Sequence, residues 1–180
     1  STSNIFIGVK SGGGQWADVA SDSNTAIGSY TMDAVMSGAN NNTALGYQAL
    51  SALTAGDGNI AIGYQSLFAQ TDSGYNIAIG HQAGLALNGG NSNILIGFQA
   101  GDAMVGQDQC TLIGYAAGGA INHDDADGTV AIGYLSGIAI TSGIGNTVLG
   151  YQALYAEDDG DFNTAIGYEA LKAQTGRSGE

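Results

Sequence analysis

Residues 42–67 read NTALGYQALSALTAGDGNIAIGYQSL. One phrase, Asn-x-Ala-(Leu/Ile)-Gly-Tyr-Gln-(Ala/Ser)-Leu, occurs twice in it, 17 residues apart. A fixed interval of that size is the signature of a stacked repeat architecture, in which one unit cannot bury its apolar face alone. Anchoring on the glycine that follows Ile or Leu extends the phrase to Gly8, Gly28, Gly46, Gly63, Gly80, Gly97, Gly114, Gly133, Gly150 and Gly167. Ten copies at intervals of 17–20 residues occupy residues 1–180 as one repeat domain, with no linker and no second domain.

The columns around the anchor carry the local structure. The residue before the glycine is always Ile or Leu, as at Ile62, Ile79, Ile96 and Ile113. Three before it stands Thr, Ile or Val, and two before it mostly Ala. Four before it stands Asn in eight copies, including Asn42, Asn59, Asn76 and Asn93. One after it, from the third copy on, is a ring: Tyr47, Tyr64, His81, Phe98, Tyr115, Tyr134, Tyr151 and Tyr168. Period-2 alternation with β-branched residues predicts a strand of about six residues, with Thr/Ile/Val, Ile/Leu and Tyr on one face and Asn, Ala and Gly on the other. The apolar face is expected to form the core, and the small face to admit a neighbouring sheet or chain. A second short strand is expected over the Gln-Ala-Leu segment, followed by a polar turn. A charge at Ile79 is then expected to abolish folding. The fold class that results is all-β: a parallel β-solenoid of about ten coils, with asparagine, aliphatic and aromatic ladders along its axis.

Composition narrows the function. Only 11% of residues are charged, against a usual share of about 25%. The net charge is −13, with Lys10, Lys172 and Arg177 the only basic residues, which argues against nucleic-acid partners and anionic membrane surfaces. No apolar run reaches the length of a membrane span, so membrane insertion is not expected. Cys110 is the single cysteine, which excludes an intrachain disulfide. The first residue is Ser, which reads as a processed chain or an excised fragment.

NTALGYQAL, NIAIGYQSL, NTVLGYQAL and NTAIGYEAL resemble the repeats of bacteriophage tail-fibre and related virion structural proteins. They are also similar to the head repeats of trimeric autotransporter adhesins, whose Ser-Val-Ala-Ile-Gly phrase recurs at a shorter period. The resemblance covers copies three to ten. It implies a left-handed β-roll or β-helix, a homotrimer and an extracellular or virion-surface fibre.

Candidate chemistry is sparse. An aliphatic-Gly-x-x-small phrase appears once per coil, whereas hexapeptide-repeat acyltransferases need three per turn, so no enzyme is expected. His81 reads as a ring substitute in the aromatic column, and His123 sits in an acidic loop with no nucleophile pattern. From Asp18 to Asp161, twelve acidic residues fall seven to fourteen positions after an anchor glycine and should line one edge of the rod. Asp159, Asp161 and Asn163 have the alternating oxygen spacing of a calcium loop but lack its Gly and Glu, so a solvated rim is the simpler reading and no cofactor is expected. Outward threonine arrays bind ice; here Thr alternates irregularly with Ile and Val, and the expected inward orientation argues against it. Trp16 reads as a packing anchor or contact residue in the first copy. The expected function is a non-enzymatic structural segment of an extracellular fibre that partners itself, with a cell-surface receptor as a further candidate partner. The alternatives are a subunit polymerising head to tail into an extracellular filament and, far behind, a hexapeptide-type acyltransferase or a ligand-binding solenoid.

Overall fold

The computed structural model describes residues 3–13 and 21–175. Trp16, Asp18 and Arg177 lie outside the described residues. The chain forms a β-solenoid with one strand per coil: β1 Ile5–Ile7, β2 Thr25–Ile27, β3 Thr43–Leu45, β4 Ile60–Ile62, β5 Ile77–Ile79, β6 Ile94–Ile96, β7 Thr111–Ile113, β8 Val130–Ile132, β9 Thr147–Leu149 and β10 Thr164–Ile166. All ten pair in parallel and in chain order within a single sheet. Register is strict, so Ile62 pairs with Ile79 and Ile96 with Ile113. The all-β parallel solenoid expected from the repeat is therefore what the chain forms.

Two details differ. Each strand is three residues long, and no second strand follows among the described residues. The Gln-Ala-Leu segment runs as a tight turn instead. Its second and fourth positions after the anchor adopt left-handed backbone, as at Gln65 (φ 53°) and Leu67 (φ 47°). Alternating left-handed residues cannot continue a strand, and the carbonyls bond to the coil above or below. Gln65 N–H, for example, donates to the Tyr47 carbonyl at 2.9 Å.

The larger correction concerns which face is inside. The strand's middle residue is buried: Ala44, Ala61, Ala78, Leu95, Leu112, Ala131 and Val148. So is the Asn column. The flanking Thr/Ile/Val and Ile/Leu columns point outward, Leu45 and Leu149 each keeping 45% of their surface. The alternation was legible, but hydrophobicity misassigned its sides. A coil only three strand residues wide has no room for two rows of Ile. Its interior takes one small row from the strand and closes it with aliphatics from the turns: Leu50, Leu53, Leu67, Leu87, Met104, Ile121, Ile140 and Leu154. Volumes compensate between columns in four coils, while Ala78 pairs with Gly84 and Ala131 with Gly137. Coils with Leu95 or Leu112 at mid-strand have Gly101 or Gly118 in the turn, where a Cβ would come within 2.9 Å of the Leu112 side chain in either case. Coils with Ala44 or Ala61 have Leu50 or Leu67 there instead.

Two backbone features set the stacking. Each anchor glycine has φ of 127–143°, and a Cβ on any but the last would fall on the carbonyl oxygen of the next coil's glycine. The buried Asn column satisfies the backbone beside it. Asn42 Oδ1 accepts the Asn59 backbone N–H at 2.8 Å, while Asn42 Nδ2 donates to the Gly56 carbonyl at 2.8 Å. The pattern recurs at Asn59, Asn76 and Asn93. Replacing Asn76 with Ala leaves a buried carbonyl and a buried N–H unpartnered, an expected cost of about 2–4 kcal/mol. The measurement is the urea midpoint at constant slope. A change of less than a few tenths would show the ladder to be energetically idle.

Candidate interaction surface

With the small residues inside, the outward face becomes the most unusual surface of the molecule. It carries three columns in register: Thr/Ile/Val, Ile/Leu, and the rings after the anchor. From Tyr47 to Tyr168 the rings stack one per coil. Centroids lie 5.6 Å apart for Tyr47–Tyr64, 4.9 Å for Tyr64–His81, 5.1 Å for His81–Phe98 and 4.9 Å for Phe98–Tyr115. The run continues through Tyr134 and Tyr151 at 5.1–5.2 Å, with ring planes within 24° of parallel. Each such pair adds about 0.5–1.5 kcal/mol beyond area burial. Beside it, Gln48, Gln65, Gln82 and Gln99 form an amide ladder at 2.9–3.2 Å. His81 is one rung of the aromatic stack.

The outward face spans nine rung intervals, about 43 Å, and five residues across, about 16 Å, or roughly 700 Å². That exceeds the patch of about 300–600 Å² that a soluble monomer ordinarily tolerates. The Thr column belongs to this outward face, contrary to the expected inward orientation. Ile60, Ile77, Ile94 and Val130 interrupt it, so it is an apolar face and not a regular hydroxyl array.

The acidic edge has more structure than a solvated rim. Six positions before the anchor, an Asx side chain accepts a backbone N–H from the preceding coil. Asn40 Oδ1 accepts from Asp22 (2.9 Å), Asp57 from Asn40 (2.7 Å), Asn91 from Gly74 (2.9 Å), Asp127 from Asp108 (2.7 Å) and Asp161 from Ile144 (2.8 Å). Asp108 accepts from Asn91 in the same way, and Asp22 from Ser3. The inner Asn ladder runs with opposite polarity, each side chain accepting from the following coil.

The calcium-loop residues do not act together. Asp161 serves the edge ladder, and Asn163 is buried in the inner ladder, its backbone N–H donating to Asn146 Oδ1 at 2.9 Å. The carboxylates that converge are instead Glu157, Asp158 and Asp159, whose nearest oxygens lie within 4.8 Å. Glu157 is buried and accepts the Gly160 N–H at 2.6 Å, which closes its own turn. By sequence Glu157 counts among the rim carboxylates; the structure buries it, because its position among the core aliphatics appears only once the turns are known to point inward.

Cys110 replaces Asn in the inner ladder and is buried, its thiol pushed up to about 11 chiefly by burial. Its backbone N–H still donates to Asn93 Oδ1 at 2.8 Å. A thiol so buried and so weakly acidic is a poor nucleophile. His123 caps a short 3-10 turn, Asp124–Ala126, and lies 3.2 Å from Asp125 at the surface.

No protein-family model, curated protein or solved structure matches the chain. No helix among the described residues is long and apolar enough to cross a membrane.

The edge ladder makes two predictions. Asp108→Asn keeps an Oδ1 acceptor and is expected to leave the melting temperature unchanged, as Asn40 and Asn91 already fill the same role. Asp108→Ala is expected to cost about 1 kcal/mol. Equal melting temperatures for the two variants would mean the edge is only solvated. At Asp22, backbone donation from Ser3 and Ser23 holds the carboxyl below its ordinary range. Its contribution is thus present above about pH 4 and lost as pH falls through the folded-state value. Wild type should lose more stability than Asp22→Asn between pH 6 and pH 3, by urea unfolding at each pH.

Proposed function

We propose that this chain is a structural, non-enzymatic segment of an extracellular or virion-surface fibre whose copies associate laterally through the outward Ile/Tyr face. The observation that carries the reading is the inverted strand. The coils direct the Asn column and the mid-strand residue inward, and the Ile/Leu column and the rings outward. A solenoid that had only to fold would gain nothing from a 43 Å apolar strip in water. A face of roughly 700 Å² approaches the 800 Å² or so that each partner contributes to a standard interface. The resemblance of the repeats to tail-fibre and adhesin-head repeats points to three copies around one axis, each meeting two neighbours. The net charge of −13 sits in the edges and turns, where it keeps finished rods apart.

The reading is tested by separating folding from assembly. Ile79 lies mid-face and points outward, so Ile79→Asp is expected to fold with a native circular dichroism spectrum, in contrast to the unfolding that an inward Ile would entail. Its mass by light scattering should fall from that of a trimer to that of a monomer. Ala78→Asp, one residue earlier and fully buried, is expected not to fold. A monodisperse wild-type monomer at micromolar concentration sinks the proposal. Particles that lengthen with concentration would replace it with the end-to-end filament.

A further inference from the structure

Of the eight rings from Tyr47 to Tyr168, six are phenols, one is Phe98 and one is the imidazole of His81. Imidazole alone among these groups ordinarily changes charge between pH 8 and pH 5. His81 belongs to the fifth of the ten coils, at the centre of the outward face, and its side chain is exposed. It stacks on Tyr64 at 4.9 Å on one side and on Phe98 at 5.1 Å on the other. No counter-charge stands beside it. Residues 76–92, the whole of its coil, contain no Asp, Glu, Lys or Arg. The adjacent columns present Ile79 and Gln82, and the Gln82 amide is tied into its ladder by Gln65 and Gln99. The two coils packed against it bring the Tyr64 phenol and three carboxylates, Asp72, Asp102 and Asp108. Those carboxylates stand nine, five and eleven residues after their anchors, in the segments that close the coil, whereas the ring stands one residue after. Among the described residues no ion pair involves His81, while His123, the other histidine, lies against Asp125 in its own turn.

We infer, resting on the lateral association proposed above, that His81 makes that association sensitive to pH: the copies hold together when the ring is neutral and part when it is protonated. Moving an imidazolium from water into a face lined by Ile, Tyr and Gln carries a desolvation cost, and no carboxylate on that face offsets it. Rotational symmetry also brings the same charge of each copy toward its neighbours, and like charges repel. Stacking on Tyr64 and Phe98 favours the imidazolium. Both of those rings belong to the same chain, however, so their contribution is present in the separate rod and in the assembly alike and cancels from the association equilibrium. The separate rod therefore binds the proton more tightly than the assembly does, and acid shifts the equilibrium toward the separate rod. A neutral imidazole carries neither cost and is one more rung of the stack.

The test is the mass by light scattering of wild type, His81→Tyr and His123→Asn at pH 8 and pH 5, at one ionic strength and one micromolar concentration, with circular dichroism on each sample. His81→Tyr places the usual ring of the column at that rung and should fold and associate. His123→Asn keeps an acceptor for the Asp125 backbone N–H. Wild type and His123→Asn are expected to hold the oligomer at pH 8 and to lose it at pH 5, with affinity lower by about tenfold or more per chain and native circular dichroism throughout. His81→Tyr is expected to keep the oligomer at both pH values. A wild-type oligomer unchanged at pH 5, equal release by His81→Tyr, loss of the response in His123→Asn, or unfolding of the rod at pH 5 would each overturn the assignment while leaving the association intact. A wild type already monomeric at pH 8 would overturn the association itself, and the switch with it.

Discussion

A single buried amide per coil governs this molecule. Every turn of a narrow solenoid brings loop carbonyls and backbone N–H groups into an interior that water does not reach, and each must find a partner. Asn at the fourth position before the anchor supplies both. Its Nδ2 takes a loop carbonyl of its own coil, and its Oδ1 takes the N–H of the next, as at Asn42 with Gly56 and Asn59. The amide occupies space that side chains would otherwise fill. One strand position is left inside the coil, filled by Ala in six coils and by Leu95, Leu112 or Val148 in three others, and the two flanking aliphatic columns have only the outside left. An exposed Ile/Tyr face is thus a consequence of solving the hydrogen-bond problem from within.

Close stacking adds a second constraint of the same kind. The anchor glycines face one another from coil to coil with no room for a Cβ, so the rung spacing is set by backbone contact. That spacing brings the rings after the anchor to about 5 Å, the separation at which aromatic faces stack. Backbone contact, amide ladder and ring stack therefore share one period, and each reinforces the others along the axis. The two Asx ladders, inner and edge, accept hydrogen bonds in opposite directions. A coil displaced along the axis in either direction stretches both on the side it leaves.

The period, the strand position, the parallel register and the asparagine column were all legible in the sequence, because stacking forces identical residues to the same place in every coil. The inside and outside of the coil were not. Periodicity of two separates faces but does not name them, and the rule that hydrophobic residues go inward fails where the interior is too narrow for Ile. A signal was present in Leu50, Leu67 and Leu154, which recur four residues after the anchor and compete for the same interior. Read as a second strand, they hid the fact that the turns fill the core. The edge ladder was half visible, as a row of acidic residues. The interchange of Asp with Asn in that column points to an acceptor oxygen as the common requirement, with charge as an addition.

Departures from a column carry information in proportion to what they cost. Cys110 and Thr129 replace Asn inside the coil, where their small size fits and the backbone N–H of Cys110 still finds Asn93. His81 replaces a tyrosine and keeps the stack on both sides. These substitutions preserve the function of their column and explain themselves. Tyr75 and Phe162 stand in a column otherwise held by Gly, Asn, Ser and Gln, and they leave most of the ring in water.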